Sequence, residues 1–310
     1  MKNKRNKWLS ALFVIAGLTI LSFFIAVFIS FFIDDGFESF DGNVAIIEIS
    51  GPIVSQEDAN LFFSDVTSSD VIRKLIRRAD RNEKIKAIIF EINSPGGSAV
   101  ASDEIAREIK RTNKTTVAWI REIGTSGAYW IASSSDHIVA NRMSITGSIG
   151  VIASYLSSSG FLEDHNISYE RLVSANLKDI GSPFKDMTEE ERELFEARLD
   201  DIHDYFVEEV AINRNLRKRD VEKIATGVFY LGSEAKDLGL VDELGGRDEV
   251  IAYVEEKIGE EVDFVRYRTK RGFLSSLSQI FNENAFFIGK GLGNALFTKA
   301  KLGDTISINT

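Results

Sequence analysis

Apolar residues in the first half of the chain follow two alternating patterns. Short runs rich in isoleucine and valine are typical of strands covered on both faces, and they lie at 44–53, 86–92, 115–120 and 137–141. Between these runs, apolar residues recur at helical spacing and predict helices at 70–85, 99–111 and from 126 to about 135. Strands that alternate with helices through short loops indicate an α/β fold with a mostly parallel sheet and packed helices.

The second half of the chain adds further helices to this fold. Thr188 and Glu191 have the spacing of a capping box, and the apolar residues that follow keep to one helical face as far as Val210. This pattern predicts one long helix. The stretch 227–259 has the pattern of a short strand, a helix, a second strand, a turn and a last helix.

The N-terminal part differs, because residues 8–33 contain no charged side chain. A helix of that length measures about 39 Å, and the hydrocarbon core of a membrane is roughly 30 Å thick. A buried core helix is the alternative, but a domain of this size does not need so long an uncharged run. Basic residues precede the segment and acidic residues follow it. The positive-inside rule then predicts a single-pass protein of the cell membrane, with a cytoplasmic N-terminus and an extracytoplasmic remainder.

These patterns divide the chain into five parts. We predict a basic cytoplasmic N-terminus (1–7), a transmembrane anchor (8–33), an acidic linker (34–43), an α/β domain (44–260) and an amphipathic, Phe-rich tail (261–310). A tail of this kind can lie at a subunit contact or on the membrane surface, and the sequence leaves both possibilities open.

Composition and charge exclude several functions. The formal net charge is −10, which argues against a nucleic-acid partner because phosphates are neutralised by clustered Lys and Arg. The chain has no cysteine, so disulfides and thiolate chemistry are excluded. The three histidines, His137, His165 and His203, form no zinc-binding motif, and the glycine-rich nucleotide-binding motifs are absent. We therefore predict neither a metal nor a cofactor.

The segment "NSPGGS" (93–98) joins a predicted strand to a predicted helix. Gly96 and Gly97 permit backbone angles that other residues avoid, so main-chain N–H groups can point outward beside a helix N-terminus. Such groups can hold a developing oxyanion, and Gly97 is the candidate donor. A simple tight turn is the alternative reading of this segment.

The segment "GTSGAYW" (124–130) also lies between a strand and a helix. Ser126 is placed to act as a nucleophile, and the N–H of Gly127 could be a second oxyanion donor. An ordinary N-cap serine is the alternative. Both segments are expected at the same edge of a parallel sheet, where ligands bind. Glu122 and Asp136 are poor candidates for the base, and the local pattern provides no histidine for that role.

Four segments occur in a specific order: "NSPGGS", then "GTSGAYWIASSSDHIVANRMSITGSIGVI", then "SANLKDIGSPFKDMTEEER", then "YLGSEAKDLGLVDELGG". In order and spacing they resemble the signal peptide peptidase A family over roughly residues 44 to 260. The resemblance implies a membrane-anchored serine peptidase of the short, single-domain type, with a Clp protease/crotonase-like fold. It also implies a Ser–Lys dyad without histidine, in which Ser126 is the nucleophile and Lys178 is the base. A lysine accepts a proton only when it is neutral, so such a base needs apolar surroundings.

The chain departs from the family pattern at three positions. Thr125 replaces an alanine before the serine, where its bulk would narrow the substrate site, and Ala128 replaces a glycine within the next helix. Ala175 replaces the glycine of the lysine motif, which implies a negative φ there. None of these changes removes a catalytic group.

Three other residues have candidate roles. Ser148 in "TGSIGV" is expected in a turn that shapes the substrate wall with Gly96, and it is the alternative nucleophile. Ser94 is expected to be structural, and His137 to form a local hydrogen bond.

The resemblance implies polypeptide substrates, such as remnant signal peptides or membrane-proximal segments cut next to small or apolar residues. It also implies a homo-oligomeric ring in which neighbouring copies share each active site. Two alternatives are a crotonase-like acyl-thioester enzyme, which uses the same type of oxyanion hole, and a catalytically silent membrane scaffold.

Overall fold

The structure is a computed structural model that describes residue 8 and residues 12–25, 42–56 and 66–268. The chain forms two units, which are described separately. The larger unit comprises Phe40–Arg268, and the smaller one comprises Met1–Ser39 with Thr269–Thr310.

A mostly parallel sheet forms the centre of the larger unit. The strands are β1 (Val44–Ser50), β2 (Ile53–Val54), β3 (Thr67–Ser68), β4 (Ala87–Ser94), β5 (Thr115–Thr125), β6 (His137–Ala140), β7 (Ile145–Gly147), β8 (Phe229–Leu231), β9 (Glu243–Leu244) and β10 (Phe264–Arg266). The main path of the sheet runs in the order β10-β1-β4-β5-β6-β9, and β7 joins β5 to β8. All pairs are parallel except β7 with β8, and a separate parallel pair is formed by β2 and β3.

Helices cover both faces of the sheet. They are α1 (Ser69–Arg81), α2 (Ala99–Ile109), α3 (Gly127–Ser133), α4 (Ser159–Asp164), α5 (Glu189–Asn213), α6 (Lys218–Ile224), α7 (Gly232–Asp237) and α8 (Arg247–Ile258). One face packs against α1, α2, α3 and α5, and the other packs against α8. Strands β1 and β4 are therefore buried along most of their length, which explains their uninterrupted apolar runs.

The sequence predictions for the larger unit are confirmed in outline. The predicted strands at the start of the unit form β1, β4, β5 and β6, and the predicted long helix is α5. Its capping box is complete, because the Glu191 N–H donates to Thr188 Oγ1 (3.2 Å) and the Thr188 N–H donates to Glu191 Oε2 (3.0 Å).

The structure also differs from the prediction in three places. Strand β5 continues to Thr125 instead of ending at residue 120, because its last residues pair with β7. The "TGS" segment, predicted as a turn, contributes two residues to β7 before it turns at Ser148. Residues Phe264–Arg266, which were predicted to belong to the tail, form the edge strand beside β1.

The smaller unit is described only at residue 8 and at residues 12–25, which are helical. The large apolar side chains of residues 12–25 are exposed. The Thr19 hydroxyl donates to the Ile15 carbonyl (2.8 Å) and the Ser22 hydroxyl donates to the Thr19 carbonyl (2.9 Å), so the helix itself satisfies both hydroxyls. No helix within the described residues has the length and apolar character needed to cross a membrane.

Several predictions fall on residues that lie outside this description. Residues 9–11 and 26–33 of the predicted anchor lie outside it, as do residues 1–7, residues 34–41 of the linker and residues 269–310 of the tail. The anchor, the linker and the tail therefore stay predictions.

Candidate functional site

Two strand-to-helix turns meet at one edge of the sheet. The first follows β4 and leads through Pro95 and Gly97 into α2, and the second follows β5 and leads through Ser126 into α3. Because β4 and β5 are parallel neighbours, both turns lie at their carboxyl ends, as the sequence predicts.

The first turn is held by β2. The Ile53 N–H donates to the Gly96 carbonyl (3.0 Å), and the Ser98 N–H donates to the Ile53 carbonyl (2.8 Å). A Cβ on Gly97 would lie 2.2 Å from the Ile53 oxygen, so no side chain fits there. Gly96 has φ +94, and a Cβ on it would lie 2.7 Å from the Gly127 nitrogen. The two turns are therefore in direct contact, and this contact requires glycine.

Polar side chains reinforce this contact. Ser94 donates to the Gly51 carbonyl (2.6 Å) and accepts from the Gly96 N–H (3.1 Å), so its hydroxyl has the structural role that was predicted. Thr125 is buried and donates to the Pro95 carbonyl (3.2 Å). Thr125 therefore joins the two turns instead of narrowing the substrate site.

Ser126 has an unusual backbone conformation, with φ 54 and ψ −126. Its N–H donates to the Gly147 carbonyl (2.8 Å), and its carbonyl accepts from the Trp130 N–H (3.0 Å). Non-glycine residues rarely adopt such angles, and holding one there costs on the order of 1–3 kcal/mol. Strain of this kind is typical of turns that expose a nucleophile.

The Ser126 side chain does not cap the helix that follows it. Ser126 occupies the N-cap position of α3 without a side-chain capping bond, whereas Ser98 at the N-cap of α2 accepts from the Ala101 N–H (3.4 Å). The Ser126 hydroxyl forms no hydrogen bond with any other described residue. The ordinary N-cap alternative therefore has no support from the geometry.

Two backbone N–H groups beside Ser126 are also available. A Cβ on Gly127 would lie 3.4 Å from the Gly97 nitrogen, so the two amides are close together. Within the part of the chain that the structure describes, neither amide donates a backbone hydrogen bond. This is the arrangement expected of donors that serve a developing oxyanion.

A groove of ≈ 950 Å³ contains Ser126, Gly97 and Gly127. Ser148 lies in its wall, where its N–H donates to the Val228 carbonyl (3.0 Å) and its hydroxyl donates to the Gly227 carbonyl (3.1 Å). The Ser148 hydroxyl is therefore engaged, unlike that of Ser126. The groove also contains residues for which the sequence predicted no role in a site; they include Trp130, Val151, Ile152, Leu199, Ile202, His203 and Phe206.

Lys178 does not line this groove within one chain. It is exposed and lies in the segment 151–188, in which no side chain is buried. Its neighbour Asp179 accepts two hydrogen bonds from Arg171, at 2.7 and 2.9 Å, and these hold the pKa of Asp179 below its usual value. Ala175 was predicted to have a negative φ, and it is not among the residues with a positive φ. The structure thus brings Ser126, Gly96, Gly97, Gly127 and Ser148 together, but not Lys178.

Two of the other candidate bases, Asp136 and His137, are engaged elsewhere. Asp136 accepts from both the N–H and the hydroxyl of Thr116, each at 2.8 Å. His137 Nε2 lies 3.2 Å from Glu243 Oε2, in agreement with its predicted local role. Within the described residues, no cluster of three or more His, Asp or Glu side chains is arranged to hold a metal ion.

Comparisons with known proteins identify the family. The profile of peptidase family S49 matches residues 108–261. A putative protease of Methanocaldococcus jannaschii is 31% identical over 237 residues, which is 76% of each chain. The putative signal peptide peptidase SppA of Enterococcus faecium is 32% identical over 74% of this chain and 68% of its own length. Protease 4 of Haemophilus influenzae is 29% identical over 71% of this chain, but the match spans only 35% of that longer protein. The chain therefore belongs to peptidase family S49, the signal peptide peptidase A family, and is a peptidase.

Proposed function

We propose that the protein is a membrane-anchored serine endopeptidase in which Ser126 is the nucleophile and Lys178 is the general base. The observation that carries the proposal is the conformation of Ser126. Its backbone is held at φ 54 and its hydroxyl does not cap the helix. Beside it lie the amides of Gly97 and Gly127, which donate no backbone hydrogen bond to any described residue.

The reaction follows from this arrangement. Ser126 Oγ attacks the carbonyl carbon of the substrate while its proton passes to a neutral Lys178. The carbonyl oxygen gains the electron pair and is stabilised by the Gly97 and Gly127 N–H groups. The proton then passes to the leaving amine and the peptide bond breaks, which leaves an acyl-enzyme. A water molecule, deprotonated by the same lysine, releases the acyl group and restores Ser126.

Lys178 is proposed to come from a neighbouring copy of the chain. In one chain it is exposed and outside the groove. The segment 151–188 around it exposes large apolar side chains; they are Ile152, Tyr155, Leu156, Phe161, Ile167, Tyr169, Leu172, Leu177 and Phe184. Packing of such a surface on another copy would remove it from water and give the lysine the apolar surroundings that a base requires. A head-to-tail ring would share every dyad in this way.

The membrane part of the proposal depends on residues 8–33. The described helical portion exposes apolar side chains and satisfies its own hydroxyls, which suits a lipid environment. With residues 1–7 in the cytoplasm, the peptidase unit would lie outside, close to the bilayer. Remnant signal peptides and other membrane-proximal polypeptides are the proposed substrates, in keeping with the name of the Enterococcus faecium relative.

A serine-reactive fluorophosphonate probe tests the chemistry directly. We expect mass spectrometry to find the probe on Ser126 in the wild type and in Ser148→Ala, and to find no labelling in Ser126→Ala or Lys178→Ala. Labelling at Ser148 would refute the assignment of the nucleophile. Full turnover by Ser126→Ala would instead support an acyl-transfer enzyme that uses the oxyanion donors alone.

A further inference from the structure

A two-pronged ion pair holds the turn that carries Lys178. Arg171 Nε and Nη2 donate to the two carboxylate oxygens of Asp179, at 2.7 and 2.9 Å, and Nη2 also donates to the Asn176 carbonyl. Lys178 lies between these two attachment points, and its N–H donates to the Ala175 carbonyl (3.1 Å). One arginine therefore closes the turn on both sides of the lysine that is proposed as the base.

Two further charges connect this turn to helix α5. Asp179 Oδ1 lies 3.9 Å from Lys185 Nζ, and the same Lys185 nitrogen binds Glu191 Oε1. Glu191 is buried in the capping box at the start of α5. Together with Arg171, these side chains alternate in sign and their charges sum to zero. The turn is thus attached to a helix that packs on the sheet.

The charge of Asp179 would disable a lysine base if it were not balanced. Consecutive Cα atoms lie about 3.8 Å apart, and charges in salt solution act over about 8 Å, so Asp179 acts on Lys178. A nearby carboxylate favours the protonated form of a lysine, which cannot accept a proton. Arg171 holds the pKa of Asp179 below its usual value, so the carboxylate stays charged in the neutral range. A cation must therefore balance it.

Arg171 is the cation in direct contact with that carboxylate. A guanidinium keeps its charge throughout the range in which a lysine titrates. Tyr169 and Lys185 also interact electrostatically with the pair, but Lys185 is engaged with Glu191. The segment 151–188 has no buried side chain, and ion pairs in such places contribute little to stability. A role in the fold alone therefore accounts poorly for so complete a contact.

We propose that Arg171 is a positioning residue for the base, which balances the Asp179 carboxylate and closes the turn so that Lys178 is presented in its neutral form. The inference rests on the proposed peptidase function and adds a residue outside the dyad and the oxyanion donors. The pair lies in the same segment as Lys178, so it accompanies the lysine to the groove of whichever copy contains Ser126.

The pH dependence of Ser126 labelling tests this role in the full-length chain. The second-order rate of labelling by the fluorophosphonate probe is measured from about pH 5 to 10. We expect the wild-type rate to rise with pH to a plateau as the lysine loses its proton. Arg171→Gln leaves the Asp179 carboxylate unbalanced and should move the midpoint of this rise upward by roughly half a pH unit to one unit. The rate at pH 7 then falls by about three- to tenfold.

Two further variants test the sign of the effect. Asp179→Asn leaves the charge of Arg171 unbalanced and should move the midpoint downward by a similar amount. The double variant, with Arg171→Gln and Asp179→Asn, lacks both charges and should return the midpoint close to the wild-type value. Its plateau should stay lower, because the bond to the Asn176 carbonyl is still lost. A purely structural role would lower the plateau in all three variants without moving the midpoint.

Two controls separate charge from geometry and from folding. Arg107→Gln breaks an Arg–Asp pair on α2, in which Arg107 Nε donates to Asp103 Oδ1 (3.0 Å), and it should leave the midpoint unchanged. Arg171→Lys keeps the charge but not the planar fork, so it should keep the midpoint near the wild-type value with a lower plateau. Thermal unfolding identifies any variant that fails to fold, and Arg171→Lys and Asp179→Asn then test the charge without removing the cation.

The outcomes distinguish this inference from the proposed function. Unmoved midpoints in Arg171→Gln and Asp179→Asn, in a wild type whose labelling needs both Ser126 and Lys178, would overturn the role of Arg171 and leave the peptidase proposal standing. A shift that persists in the double variant would also overturn it, since the two charges would not be the cause. Unchanged labelling of Lys178→Ala would refute the proposed base and the role of Arg171 with it.

Discussion

The turn around Ser126 and the segment around Lys178 differ in how completely one chain builds them. The serine follows a strand at the centre of the sheet, and both its N–H and its carbonyl are paired. The lysine lies in the segment 151–188, which has no buried side chain and exposes many large apolar ones. The turn around Ser126 can hold a strained conformation because the neighbouring strands and helices pack against it. The segment 151–188 can gain comparable support only by packing against the surface of another molecule.

Two Arg–Asp pairs show the same contrast. Beside the sheet, Arg214 binds Asp242 through two hydrogen bonds, at 2.9 and 2.5 Å, and the N–H of Ile138 in β6 donates to the same carboxylate (2.8 Å). In the segment around the lysine, Arg171 binds Asp179 with similar geometry. The Arg214 side chain is only 7% exposed, against 35% for Arg171, although the Asp179 carboxylate is less exposed (13%) than that of Asp242 (30%). We expect the Arg214 pair to contribute more to stability, because removing Asp242 leaves a buried guanidinium unpaired.

The largest expected effect concerns the sharing of the dyad. Ser126→Ala and Lys178→Ala should each lower kcat/KM by more than about 1,000-fold, as for other nucleophile and base removals. When the two variants are mixed under conditions that exchange subunits, roughly a quarter of the junctions of a head-to-tail ring pair an intact serine with an intact lysine. Activity should then return to roughly a quarter of the wild-type value. No recovery despite proven exchange would place the dyad within one chain.

The next effect compares one substitution in the two regions. Gly97→Ala places a Cβ 2.2 Å from the Ile53 oxygen, which must shift the proposed oxyanion donor. We expect it to lower kcat/KM by on the order of 10²–10³-fold, the loss seen when one such donor is removed. Gly160 in α4 has nothing within 4 Å of an added Cβ. Gly160→Ala should therefore leave the fold of one chain unchanged and lower kcat/KM far less, which makes it the matched control. Equal activity of both variants would exclude Gly97 from the site.

The sequence predicts the sheet region well and the rest less well, for physical reasons. Strands buried on both faces leave uninterrupted apolar runs, which are visible without the fold. Strands β7 and β8 are only three residues long, and their pairing joins distant parts of the chain. The φ of Ser126 and the stacking of Trp130 on Phe206 also result from packing between elements. The helical pattern places Ile202 and Phe206 on one apolar face of α5, and His203 lies next to that face. A histidine in this position is the feature of the sequence from which the groove could have been predicted.

Removing the carboxylate of one Arg–Asp pair should have a smaller effect, and it acts on stability instead of activity. Burial alone would raise the pKa of Asp242, but Arg214 holds it below its usual value. The pair therefore stabilises the fold above pH about 4, near the ordinary pKa of an unfolded Asp, and this contribution is lost as the pH falls through the lowered folded pKa. Asp242→Asn should lower the free energy of unfolding at pH 7 by about 2 kcal/mol, less than for a fully buried pair because the carboxylate is partly exposed.

Chemical denaturation at several pH values checks this expectation. The deficit of Asp242→Asn relative to the wild type should shrink as the pH falls below about 4. Asp179→Asn is the matched control in the other region, and it should change the denaturation midpoint of the isolated chain far less. A larger loss from Asp179→Asn would show that the segment around Lys178 is already part of the cooperative core.

The smallest effect measures the strain at Ser126 itself. A glycine adopts φ 54 without the steric penalty that serine and alanine share, so Ser126→Gly should be more stable than Ser126→Ala by about 1 kcal/mol. Both variants are inactive, and both lack a side chain that caps a helix, so the difference reports the backbone alone. Chemical denaturation of the two variants at neutral pH measures it. A Ser126→Gly variant that is less stable than Ser126→Ala would mean that the conformation carries no strain, and the analogy with a strained nucleophile turn would then fail.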